Sequence, residues 1–132
     1  MSINHDMKTI EPPQKKLRIY IAGPMSGYLD GNFPSFFTKE KQLIAEGWDV
    51  VNPAQMDVDR GIDPNQLGEY DYEDCASRDI EALHTCDAIY MLSGFQYSKG
   101  ACWERALAKY WNLKRYYEVP RADHERTNNG PI

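Results

Sequence analysis

No apolar stretch in the 132 residues approaches the roughly 20 that a membrane-spanning helix needs. The opening, MSINHDMKTIEPPQKK, has no apolar core of the kind a secretory signal carries, so a cytoplasmic location is expected. Cysteine is scarce and odd in number: Cys75, Cys86 and Cys102, with no Cys-x-x-Cys pair. That excludes a zinc ribbon, fits a reducing compartment and leaves no metal expected. His84 and Cys86 lie close together without a second ligand pair and read as a helix-end histidine and a buried thiol. A basic excess is also missing. The net charge is −5 and the pI about 5.1, which argues against polymeric nucleic acid as a partner while permitting a small anion held by local donors. No Gly-x-Gly-x-x-Gly motif follows the first apolar run, so no dinucleotide cofactor, and no cofactor of any kind, is expected.

Hydrophobic residues make up 42% of the chain and charged residues 27%, the balance of an ordinary folded domain. Residues 1–16 read as a polar mobile arm, 17–119 as a single α/β domain and 120–132 as a polar tail. Within the domain, LRIYIAG (17–23) is a short buried strand ending in Gly-Pro. GPMSGYLDGN is a loop, and FPSFFTKEKQLIAEG (33–47) a helix with Asn32 as cap and Gly47 as stop. WDVVNP (48–53) is a second strand, and 54–69 a long loop. YDYEDCASRDIEALHTC (70–86) is a helix, DAIYML (87–92) a strand and SGFQYSKG (93–100) a loop. A helix over 101–113 and a strand over 114–119 complete the domain.

Strands alternating with helices predict a parallel sheet covered on both faces, a flavodoxin- or Rossmann-like three-layer sandwich. The expected strand order is 2-1-3-4, with a fifth strand possible from the tail. Ligands in such sheets bind at the carboxyl ends of the strands, where neighbouring connections leave towards opposite faces. Here that crevice falls between the first and third strands, facing GPMSGYLDGN and SGFQYSKG.

Two carboxylates are out of place beside it. In the helix that follows SGFQYSKG, Ala101, Glu104, Leu107, Ala108 and Trp111 share one face. Glu104 has no cation three or four residues away. In the preceding helix Asp79 shares a face with Ala76, Ile80 and Leu83, whereas Arg78, Asp71, Glu73, Asp74 and Glu81 read as solvated charges. A buried carboxylate costs free energy, so each needs a distant cation, a tilted helix or a functional reason. Two of them flanking one crevice suit glycosyl-bond cleavage, in which one acts as nucleophile and the other as acid.

The segments IYIAGPMSG (19–27), RDIEALHTCDAIYML (78–92) and SKGACWERALA (98–108), in that order, resemble the nucleoside 2-deoxyribosyltransferase superfamily. That group includes deoxyribonucleoside 5′-monophosphate N-glycosidases and short phage and bacterial proteins. IAGPMSGY and NFPSFF are closest to the short branch. The resemblance spans about residues 17–113. It implies Glu104 as the nucleophile at C1′, Asp79 as the group that binds or protonates the leaving base, and Tyr20 as the hydroxyl that orients the glutamate. It also implies Ser98 beside a 5′-phosphate, where the helix-start amide of Gly100 and the Ser26 hydroxyl of the facing loop already suit an anion and Gly23 and Gly27 are expected to line the substrate. The helix start departs from the family's usual G-x-x-x-E-L-G-x-A, with Trp103 and Arg105 flanking Glu104. An arginine near the phosphate is missing from GPMSG; Arg18, Lys99 or a neighbouring subunit would replace it.

The resulting expectation is an enzyme, an N-glycoside hydrolase or deoxyribosyltransferase. It would cleave a nucleoside 5′-monophosphate or nucleoside through a glycosyl-Glu104 intermediate, in the cytoplasm, or in the host cytoplasm if the chain is phage-encoded. A nucleotide-binding or sensing protein without turnover is the alternative, and a scaffold for protein interaction a third. A homodimer or higher homo-oligomer is expected, because Trp103, Tyr110 and Trp111 crowd one helix and the resemblance implies that a neighbour completes the wall of a shallow crevice.

Overall fold

The computed structural model describes residues 15–65 and 69–120, the side chains of 69–74 excepted. The arm expected over residues 1–16 falls largely outside these residues, and the tail after Pro120 does so entirely.

Four strands, β1 (Arg18–Ala22), β2 (Asp49–Val51), β3 (Ala88–Met91) and β4 (Lys114–Tyr117), form one sheet in the order β2-β1-β3-β4. Every pairing is parallel, and Tyr20 of β1 stands level with Val51 of β2 and Ile89 of β3. Four helices connect them: α1 (Phe33–Ala45), α2 (Pro53–Asp59), α3 (Glu69–His84) and α4 (Lys99–Tyr110). The chain therefore adopts the three-layer α/β arrangement expected from its sequence.

The alternation of side chains along β1 divides the core in two. Ile19 and Ile21 pack with Phe33, Phe36 and Leu43 of α1 on one face. Tyr20 and Ala22 point the other way, into a cluster with Leu83 of α3 and Ala101 and Ala108 of α4. The two alanines, both buried, let α4 lie close to the sheet.

Three local expectations are corrected. Residues 54–69 do not form one long loop, because α2 occupies their first part. Asn-Pro ends a strand in one reading and opens a helix in another. Here the Asn52 side chain accepts from the Ala54 amide at 2.9 Å and Pro53 takes the first helical position. Helix α4 starts two residues before the expected Ala101 because Ser98 caps it, its Oγ accepting from the Ala101 amide at 3.1 Å. It ends at Tyr110 rather than 113, where Asn112 turns to φ 64°. Asn32 stands at the head of α1 but does not cap it. Its Nδ2 donates instead to the Pro24 carbonyl at 2.9 Å, tying the two ends of the loop 24–32 together. Asp30, Gly31 and Asn32 run consecutively through left-handed φ values of 52°, 63° and 61°.

At the exit of β1, Gly23 runs close to β3's end. A Cβ there would come within 2.8 Å of the Leu92 Cβ and Cδ1. Glycine is thus fixed by close approach rather than by an unusual φ.

Candidate active site

A crevice of about 1170 Å³ opens at the carboxyl ends of β1 and β3. The loop 23–28 forms one wall and the start of α4 the other, with α3 and α2 closing the inner end. All eight residues singled out from the sequence line it: Tyr20, Gly23, Ser26, Gly27, Asp79, Ser98, Gly100 and Glu104.

Tyr20 is fully buried, yet its ring reaches across from the sheet so that the hydroxyl donates to Glu104 Oε2 at 2.5 Å. The distant arginine or helix-edge position that could have explained Glu104 is not what the structure contains. Its inward position, between Ala101 and Ala108, is answered by a hydroxyl. No other hydrogen bond reaches the carboxyl among the described residues, so Oε1 is open. Burial pushes Glu104 up to about 8; the Tyr20 hydrogen bond pulls the other way, the Asp79 charge adds to the rise and Arg78 opposes it. Burial, with the Glu104 charge next to it, holds Tyr20 well above its ordinary range, so it stays a donor.

Asp79 sits one turn before the buried Leu83, on the α3 face that meets the crevice. Its Oδ1 accepts from Arg78 Nε at 3.0 Å and from Nη2 at 2.6 Å. Oδ2 has no hydrogen bond among the described residues. Burial raises Asp79 to about 6 in spite of the guanidinium.

Arg78 corrects a further expectation, since it is not a solvated charge. Its side chain is 17% exposed, and Nη2 also meets Asp57 Oδ1 at 2.7 Å. Burial works against its charge, but the bonds to Asp79 and Asp57 outweigh that and keep it protonated. Asp57, on α2, is only 2% exposed and lines the crevice. The sequence does not single it out, because Asn52-Pro53 reads as the end of a strand and 54–69 as a loop. Read as a helix start, Asn-Pro would have put Pro53, Ala54 and Asp57 on one face, an inward acid of the same kind as Asp79 and Glu104. The Cys75 thiol also points to Asp57 Oδ1, at 3.6 Å, and burial pushes it up to about 11.

The outer end has a different character. Lys99, Gly100 and Ser98 surround the start of α4, and Tyr97 and Trp103 stand half exposed at the rim. Because Ser98 Oγ acts as acceptor in the cap, its proton remains available to a ligand. Arg18 is removed from consideration. It begins β1, at the opposite end of the sheet, and pairs with Asp49 at 3.1 Å. Lys99 is the cation at this end among the described crevice residues.

The described residues hold no group of three or more His, Cys, Asp or Glu side chains arranged to bind a metal ion. No described helix is long and apolar enough to cross a membrane. The crevice thus has two carboxyls with raised pKa values at its inner end and the Ser98 hydroxyl, the Gly100 amide and Lys99 at its mouth. No curated protein matches the chain. A family model does match over residues 17–117, which contain every residue of the crevice, and by that match the chain belongs to the family described as a domain of unknown function, DUF4406.

Proposed function

We propose that the protein cleaves the N-glycosidic bond of a nucleoside 5′-monophosphate or nucleoside. The observation that carries this reading is the Tyr20 hydroxyl bonded to Glu104 Oε2 at 2.5 Å, beside Asp79 in one crevice. The resemblance of IYIAGPMSG, RDIEALHTCDAIYML and SKGACWERALA to the nucleoside 2-deoxyribosyltransferase superfamily supports it.

In the first step Glu104 Oε1 attacks C1′ of the sugar. The C1′–N bond breaks, its electron pair leaves with the base, and Asp79 Oδ2 delivers a proton or a hydrogen bond to that base. Tyr20 holds the other oxygen and fixes the trajectory. Water or a second base then bonds to C1′, the C1′–Oε1 bond breaks with its pair returning to Glu104, and Asp79 takes back a proton from the incoming group, which gives hydrolysis or exchange. A 5′-phosphate lies at the mouth, against the Ser98 hydroxyl, the Gly100 amide and Lys99, where the helix N-terminus favours negative charge. Gly23, Ser26 and Gly27 form the facing wall.

Between about pH 6 and about pH 8 the two carboxyls together hold roughly one proton. Burial leaves that proton mainly on Glu104, and the reaction draws on the minor arrangement in which Asp79 has it and Glu104, bonded by Tyr20, does not.

The test is incubation with the common ribo- and deoxyribonucleotides and nucleosides, with and without a second base, and chromatography for free base. Base release that is lost in Glu104→Ala supports the reading. Tight nucleotide binding without base release from any member of the panel assigns the crevice to a binding or sensing protein instead.

A further inference from the structure

Sequence neighbours on a helix point about 100° apart, so an arginine does not ordinarily fold back on the carboxylate next to it. Arg78 and Asp79 nevertheless make two contacts, and both go to the same oxygen, Oδ1. What bends the arginine is on another helix. Asp57 of α2, almost fully buried, takes Nη2 of the same guanidinium at 2.7 Å, so one nitrogen bridges two carboxylates. The fork is held from both sides, although Nη1 is buried without a hydrogen bond. A buried aspartate and a mostly buried arginine are costly to fold in, and neither is itself placed at the reacting bond in the proposed chemistry.

We propose that Asp57 is a positioning residue which, through Arg78, keeps Oδ1 of Asp79 occupied and Oδ2 turned to the substrate. The role in catalysis rests on the glycosidase reading; the tether itself does not. Asp57 and Arg78 make up a strut between α2 and α3. Without it Arg78 is free to leave Asp79, whose carboxyl then rotates and loses its nearest cation. Among the described residues, the other titratable or charged groups around Asp79 are Tyr20 from β1, Arg60 just after α2, Cys75 on its own helix, and Lys99, Cys102 and Glu104 from α4.

Two substitutions separate a tether from a mere charge. Asp57→Asn removes the negative charge but keeps an oxygen that can accept from Arg78. Asp57→Ala removes both. Carbon NMR of labelled aspartate in the full chain follows the Asp79 carboxyl through its titration, assigned by its loss in Asp79→Asn. A tether predicts opposite movements. In Asp57→Asn the Asp79 midpoint falls, because a neighbouring negative charge is gone. In Asp57→Ala it rises by about one pH unit, the size expected when an opposite charge moves out of contact. Equal downward shifts in both variants overturn the proposal, since Asp57 then acts only as a charge.

If Asp57→Ala does not fold, Arg78→Lys asks the same question by keeping the charge and losing the fork. The Asp79 midpoint then rises above wild type but stays below that of Arg78→Gln; no rise in Arg78→Lys overturns the tether. For base release, Asp57→Ala should lower kcat by on the order of 100-fold with KM little changed, and move the acid limb of the pH profile upward. The stated titration shifts without base release in the wild type would retain the tether and remove the glycosidase reading. Base release in Asp57→Ala with kcat and pH profile unchanged would do the opposite.

Discussion

Replacing Glu104 by glutamine should make the folded chain more stable in alkaline solution and leave it unchanged in acid. The two side chains have the same size, and the amide oxygen can still accept the Tyr20 hydroxyl. What disappears is the need to hold a carboxylate in a largely dehydrated place. Burial has raised the Glu104 carboxyl from an ordinary 4.5 to about 8. Below pH 4.5 the group is protonated in both folded and unfolded chains and contributes no difference. As the pH rises from 4.5 to about 8, the unfolded chain gives up a proton that the folded chain retains, so folding stability falls throughout that window. Above about 8 the loss is complete. At about 1.4 kcal/mol for each tenfold change in proton affinity, the full window amounts to about 5 kcal/mol, a large fraction of the stability of a small domain.

Urea unfolding of wild type and Glu104→Gln at pH 4, 6, 8 and 9 reads this directly. Asp79 has a similar window, from 3.8 to about 6, but it is present in both proteins and largely cancels in their difference. The curves should coincide at pH 4 and separate progressively. By pH 9 the glutamine variant should lead by about 3–5 kcal/mol, less whatever its amide NH₂ loses by facing the crevice in place of Oε1. A gap that does not change with pH, or a glutamine variant less stable at pH 9, would refute the reasoning. Glu104 would then be an ordinary ionised side chain, stabilised in its charged form. A stable, folded glutamine variant is also the condition for reading its loss of base release as loss of a nucleophile.

The same two carboxyls should give base release a bell-shaped pH profile, with limbs near 6 and near 8 in kcat/KM, and a flat profile over that range would separate them from the chemistry. Gly23→Ala should lower stability by about 1–3 kcal/mol, measured by urea midpoint, because the new methyl meets Leu92 at 2.8 Å with no room to move. Asn52→Ala removes the cap of α2 and should cost about 0.5–2 kcal/mol, with Asp57 and hence the Asp79 titration disturbed in the same variant. Trp103 is 58% exposed and Tyr110 84% exposed on α4, so sedimentation should show a dimer or larger at micromolar concentration; substitution of both by Ser should shift it towards monomer.

The layers and strand order were legible because they depend on two periodicities that a short chain cannot hide, alternating strands and a 3.6-residue helix stripe. Glu104 and Asp79 were legible for the same reason, as violations of those stripes. What answered them was not legible in those stripes: Tyr20 as the partner of Glu104 came only from the family resemblance, and the Arg78–Asp57 pair from nothing in the sequence. A hydrogen bond from Tyr20, 84 residues away, depends on β1 packing beneath α4, and no local pattern encodes that contact. Arg78 was misread because exposure was judged from its own helix, whereas its partner Asp57 comes from α2. Asp57 in turn was hidden by one ambiguous dipeptide, Asn52-Pro53, which ends strands and starts helices with the same two chemical features: a side chain that replaces backbone bonds, and a residue with no amide to give. The missing information therefore lay in contacts between elements. Those contacts join three inward carboxyls, on α2, α3 and α4, to one guanidinium and one phenol. Burial favours the protonated forms of Asp79 and Glu104. Arg78, shared between Asp57 and Asp79, is placed to keep negative charge at the inner end of the crevice, with Arg60 acting on Asp79 in the same sense. Arg78 opposes the protonation of Asp79 through two hydrogen bonds and that of Glu104 only by its charge, so it biases the remaining proton towards Glu104.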